Sequence, residues 1–165
     1  MIGNTLTAEY YVTGASGVPT KGVLTGTTTL AGTFNAATTS NVITGIGTAF
    51  KGNTGVQIGD YLYSSTNNQV RRIKSIIDDT YIGIDRPFTN TVTGDTVKVA
   101  RRGFPRTIVL KDTGSTNASI VYGRTGSLSF ANGKTESINN APSGIEPMTY
   151  DASAASAQLT IEVYY

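Results

Sequence analysis

Apolar residues between Val42 and Arg101 recur in short runs separated by glycine, aspartate and threonine. This spacing predicts strands joined by turns. Leu30–Phe34 is a short strand candidate, followed by a polar connection over Asn35–Asn41. Val42–Phe50 reads as a strand interrupted by Gly45 and Gly47, where a bulge or close backbone approach is accommodated; Phe50 and Val56 are candidate core residues. Gly59-Asp60 makes a turn into Tyr61-Leu62-Tyr63, whose leucine should face away from both tyrosines. In Gln69–Ile77 the apolar Val70 and Ile73 are three apart, with Arg71 and Arg72 between them. A bulge at the arginine pair would place Val70, Ile73 and Ser75 on one face and leave the guanidinium groups wet. A helix is disfavoured here by β-branched Ile73, Ile76 and Ile77 and by the turn chemistry of Asp78-Asp79-Thr80. Tyr81–Asp85 follows with Ile82 and Ile84 inward, closed by Pro87 and Phe88. Thr93-Gly94-Asp95 then turns the chain into Thr96–Ala100, with Val97 and Val99 inward and Lys98 outward. Val70, Ile73, Ile82, Ile84, Val97 and Val99 are expected to share a core. Strands this short and this close together can curl into a small barrel, which hides its edges.

The flanks carry weaker patterns. Residues 1–27 hold isolated Tyr10, Tyr11, Val12 and Val18 among breaks at Gly14, Gly17 and Pro19, and read either as a surface loop or as an arm reaching a neighbouring subunit. Thr107–Lys111 and Ser119–Tyr122 are expected to pair through the Asp112–Asn117 turn, with Ser127–Phe130 as a further strand. Residues 131–156 are polar and turn-rich, with Ile138, Ile145, Met148 and Tyr150 as scattered anchors. Leu159, Ile161, Val163 and Tyr165 alternate with polar or amphipathic neighbours, which predicts a terminal strand locked into a sheet. The expected organisation is therefore an N-terminal arm or extended segment over 1–27, a β-rich core over 28–130 centred on 42–101, and an irregular connection ending in a strand over 131–165. The fold class is all-β: a small curled sheet or barrel with additional strands and long extended segments.

Composition narrows the chemistry. Nineteen glycines and five prolines among 165 residues fit many turns, and only 15 % of residues are charged. Thirteen basic and eleven acidic side chains leave a formal charge of +2, too small to call for a nucleic-acid partner. The chain contains no histidine, cysteine or tryptophan, which removes thiol chemistry, disulfides, familiar zinc sites and histidine-dependent triads. Asp78 and Asp79 read as a solvated hairpin turn, and Asp60, Asp85 and Asp95 as residues of turns or strand ends; none is spaced like a calcium loop or arranged as a glycosidase pair. No apolar run approaches a membrane helix, and Met1–Leu6 lacks the basic and apolar character of a secretion signal. No catalytic residue, cofactor or metal is expected. The basic groups Arg71, Arg72 and Lys74, with Arg101, Arg102 and Arg106, fit a solvated strand surface or a protein contact better than nucleic acid. Tyrosines are better suited to interfaces than to catalysis.

The motifs Val42-Ile-Thr-Gly-Ile-Gly-Thr-Ala-Phe50, Gly59-Asp-Tyr-Leu-Tyr63, Gln69-Val-Arg-Arg-Ile-Lys-Ser-Ile-Ile-Asp-Asp-Thr80 and Tyr81-Ile-Gly-Ile-Asp85 together resemble a small β-rich module of bacteriophage virion proteins. Similar modules occur in head, neck, baseplate and fibre proteins. The resemblance implies a non-enzymatic virion structural protein, made in the host cytoplasm and carried in the particle. A capsid-associated role (decoration or minor head subunit) is the first expectation, and a neck, tail or baseplate subunit the second. Its partners would be other virion proteins, the major capsid protein foremost, and further copies of itself; neither nucleic acid nor membrane is implied. A carbohydrate-binding module is the alternative of another class, favoured if surface aromatics group on one sheet face. Contacts with neighbours are expected from residues 1–27 and 131–156 and from the basic strand. The interface candidates are Tyr10, Tyr11, Arg71, Arg72, Lys74, Ile145, Met148 and Tyr150.

Overall fold

The computed structural model describes residues 8–13, 20–24, 27–52, 55–100, 107–114, 118–122, 126–130, 133–139, 147–153 and 157–164. Among them the chain is all-β, with fourteen strands and no helix. Strands β1 (Ala8–Val12) and β2 (Lys21–Val23) come first. They are followed by β3 (Thr28–Ala36), β4 (Val42–Ile46), β5 (Tyr61–Ser64), β6 (Gln69–Ile76), β7 (Tyr81–Ile84) and β8 (Val92–Ala100). The remainder are β9 (Thr107–Asp112), β10 (Ala118–Tyr122), β11 (Gly126–Phe130), β12 (Thr135–Asn139), β13 (Thr149–Asp151) and β14 (Leu159–Tyr164). Two compact units result: Gly26–Arg102, and a second assembled from Met1–Thr25 together with Gly103–Tyr165. The first unit is thus an insertion in the second. This replaces the expected division into arm, core and tail, because strand pairing joins the two chain ends rather than successive segments.

The inserted unit is a closed antiparallel barrel in the order β3-β4-β7-β6-β5-β8. Its interior is filled by Phe34, Ile43, Leu62, Ile73, Ile82, Ile84, Phe88, Val97 and Val99, with Phe50 and Val56 from the loop after β4. Alternation decides most of this set: Ile82 and Ile84 on β7 and Val97 and Val99 on β8 point inward as expected, and Ile43 on β4 joins them. Val70 is only partly buried and stays outside the cluster. The bulge on β6 falls between Ile73 and Ser75, at Lys74, rather than at the arginine pair. Consequently Arg71 points the same way as Ile73. Thr93-Gly94-Asp95 is likewise no turn. It is part of β8, where the pairing with β3 shifts register and Gly94 takes φ +68°. The Asp78–Thr80 turn between β6 and β7 and the Gly59-Asp60 turn before β5 form as expected.

The second unit contains two four-stranded sheets, β1-β14-β9-β12 and β11-β10-β13-β2. Ile108, Leu110, Leu159, Ile161 and Val163 from the first sheet share one apolar cluster with Tyr150, Leu24 and Ala152, which belong to or adjoin strands of the second. This is the arrangement of a β-sandwich. The terminal strand β14 lies between β1 and β9, so its regular alternation does lock it into a sheet. Residues 8–12 are a paired strand and not a free arm; their partners lie at residues 160–164, at the far end of the sequence. Strands β9 and β10 occupy different sheets and do not form the expected hairpin. Each pairs with later strands instead, β9 with β12 and β14, β10 with β11 and β13.

Candidate interaction face on the barrel

Strand β4 is apolar on both sides. Ile43 enters the core, while Val42 and Ile46 face outward at 43 % and 53 % exposure. The register places Val42 opposite Gly83 and Thr44 opposite Tyr81 on β7. Tyr81 is 41 % exposed, and the amide of Ile77, itself 52 % exposed, donates to the Tyr81 carbonyl at 3.0 Å. Across the same row Gly83 lies opposite Ser75 of β6. A side chain at Gly83 would begin 2.4 Å from the Ser75 hydroxyl oxygen, so the serine lies over the glycine and the centre of the face stays flat. Val42 and Ile46 on β4, Tyr81 on β7 and Ile77 just past the end of β6 are therefore large apolar side chains exposed on this side of the barrel. Single exposed apolar residues are ordinary, but a contiguous group of large ones marks a contact site.

The face is held by a clamp at one end. Asp79 accepts hydrogen bonds from the Lys51 and Gly52 amides through Oδ1, both at 2.9 Å, and its carbonyl receives the Thr48 hydroxyl at 2.7 Å. Gly45 donates its amide to the Thr80 carbonyl. Phe50 and Thr48 pack over Gly45 so closely that a Cβ there would stand 2.6 Å from the phenylalanine ring. The loop after β4 is thereby fastened to the β6–β7 turn, fixing Ile46 relative to Tyr81.

A polar network gathers where the β5–β6 turn meets β8. The Asp95 carboxylate, 9 % exposed, accepts the hydroxyls of Ser64 at 2.8 Å and Ser65 at 2.5 Å, and the Thr66 amide at 3.1 Å. Burial alone would raise its pKa, but these donors outweigh that and hold it below the usual carboxylate value. Asn67 bridges from this turn to Thr89 and Asn90. Donors and acceptors here satisfy one another, which makes the cluster a fastening for the turn.

Comparison with protein-family models, curated proteins and solved structures finds no match. Among the described residues, no three of His, Cys, Asp or Glu come together as a metal-binding group.

The residues singled out from sequence separate sharply. Arg71 is a correction: it is 5 % exposed, its Nε donates to the Pro87 carbonyl at 2.8 Å, and its guanidinium lies 5.0 Å from the centroid of the Phe88 ring. Burial, reinforced by repulsion from Arg86 and opposed by Asp85, lowers its pKa to about 10. It closes the core and is not a wet basic group. Arg72 is half-buried, with its amide on the Asp85 carboxylate at 3.0 Å, while Lys74 is exposed as expected. Tyr150 is a second correction, being 2 % exposed inside the sandwich, and Met148 packs against the same cluster. Tyr150 is therefore a core residue, whereas Met148 is only partly buried. The backbones of Tyr10 and Tyr11 lie in β1; Ile145, Arg101, Arg102 and Arg106 fall outside the described residues. Tyr61 and Tyr63 are buried, which leaves Tyr81 as the exposed tyrosine of the barrel strands. The apolar face itself was readable in one signal. Val42, Ile43 and Ile46 are apolar at both parities of a strand, more than a one-sided barrel wall requires.

Proposed function

We propose that this chain is a non-enzymatic structural subunit of a bacteriophage virion, capsid-associated as a decoration or minor head protein in preference to a neck, tail or baseplate position. The observation that supports an assembly role is the grouping of four large exposed apolar side chains, Val42, Ile46, Ile77 and Tyr81, on β4, β7 and the end of β6. The virion context comes from the resemblance of residues 42–85 to modules of phage structural proteins. A glycan-binding role would call for aromatic side chains grouped on one exposed face. On the barrel strands Tyr81 stands alone among aliphatic neighbours, because Tyr61 and Tyr63 are buried.

In an assembled particle such a face meets its partner in many copies, so a modest contact is multiplied into a persistent one. The test is mass spectrometry of purified virions from a phage encoding the chain, with heads and tails separated before digestion. A fixed copy number in the head fraction is expected. Recovery with tails would move the subunit to the neck, tail or baseplate, and absence from intact particles would overturn the virion assignment.

A further inference from the structure

The apolar strip carries opposite charges at its two ends. Lys74 stands exposed at the β6 bulge on one side, and the exposed Asp78 and Asp79 form the turn on the other. Asp78 Oδ1 accepts the amides of Thr80 and Tyr81, and Asp79 Oδ1 those of Lys51 and Gly52, which fixes the turn. Lys51 lies at this end too, and two carboxylates against one ammonium leave it negative. Arg72 and Asp85, beyond Lys74, contribute one charge of each sign. Between the ends the outward positions Thr44, Ser75 and Gly83 are uncharged.

We propose that this face is a two-fold interface between two copies of the chain. It rests on the assembly reading above and names the partner of that same face. A copy rotated about a two-fold axis presents the same strip with its ends exchanged, so Lys74 of each chain meets the Asp78–Asp79 turn of the other while the apolar centres pack together. A partner surface of one sign would face like charge at one end. No ion needs to be buried at the centre, which avoids the desolvation that penalises charged interfaces. Four half-exposed side chains would form the apolar centre of such a contact, with the charged ends as its polar rim.

Sedimentation velocity of the full chain over a range of concentration and salt tests this. A reversible dimer is expected. Ile77→Asp should raise its dissociation constant at least about tenfold by placing a carboxylate in the apolar centre. Lys74→Glu should also weaken it, with an effect that shrinks as salt screens the repulsion. Circular dichroism verifies that each variant is folded, and the lysine variant decides the matter if the isoleucine one is not. A chain that is monomeric at every concentration, a closed trimer or larger ring, or a dimer unaffected by the folded variants would overturn the interface. The two readings fail separately. A monomeric chain that is nonetheless present in virions removes the two-fold contact alone. A dimer weakened by these substitutions but missing from particles removes the virion role alone.

Discussion

Ile84 on β7 is buried in the barrel beside Ile73 and Ile82, whereas Ile46 on β4 is half in solvent. The two isoleucines should therefore respond differently to truncation. Ile84→Ala is expected to destabilise the barrel by about 2–4 kcal/mol through lost burial and a residual cavity. Ile46→Thr should stay within about 0.5 kcal/mol, as surface replacements do. Denaturant unfolding followed by a probe in the barrel separates them, and equal effects would contradict the assigned facing of β4 and β7. Asp95 makes a second test, through pH. Its folded pKa is depressed, so its stabilising contribution is present above the unfolded carboxylate pKa and disappears as pH falls through the folded value. Asp95→Asn should cost about 1–3 kcal/mol at neutral pH, because three donors lose their charged acceptor. The gap between wild type and variant should then close on acidification. A gap independent of pH would show that the carboxylate charge plays no part.

Elements differ in how plainly they announce themselves. The β6–β7 hairpin was legible because β-branched residues flank an Asp-Asp-Thr turn, and its pairing partners are near in sequence. The position of its bulge was not. Nothing local distinguishes a bulge at Arg71–Arg72 from one at Lys74; what decides is that Arg71 finds Phe88 and the Pro87 carbonyl to cover its guanidinium. The three-residue strands Lys21–Val23 and Thr149–Asp151 are too short to carry a period; they pair with each other across more than a hundred residues, and Thr149–Asp151 also pairs with β10. That is why Tyr150 read as a surface anchor and not as core. Glycines of the barrel give a test at this scale. Gly32 takes φ +88°, and a Cβ there would stand 2.6 Å from the Ile46 carbonyl oxygen, whereas Gly94 at φ +68° faces open space. Gly94→Ala should cost about 1–2 kcal/mol, the conformational penalty alone. Gly32→Ala must cost more, since the backbone of β4 has to move as well. Thermal or denaturant unfolding giving the two variants equal stability would argue against the close approach of β3 to β4.

At the scale of the whole molecule, the density of strand signals over 42–101 located the barrel but not its status as an insertion, because the host unit is made by pairing distant ends. The barrel begins and finishes on neighbouring positions, with Thr28 paired to Val99, and holds its own apolar cluster. Residues 26–102 expressed alone should fold cooperatively with a β-type circular dichroism spectrum; a chain that stays unfolded would show that the barrel depends on the host unit. The central claim is that the subunit meets its neighbours in the particle through the outer face of β4 and β7. Since the chain contains no cysteine, one introduced thiol reports one position. Ile46→Cys and Tyr81→Cys place it on the face, and Thr93→Cys on exposed β8 serves as the reference. Maleimide labelling should be fast at all three positions in dilute free chain. In purified virions labelling at positions 46 and 81 should slow at least about tenfold relative to position 93, whereas unchanged relative rates would contradict the account.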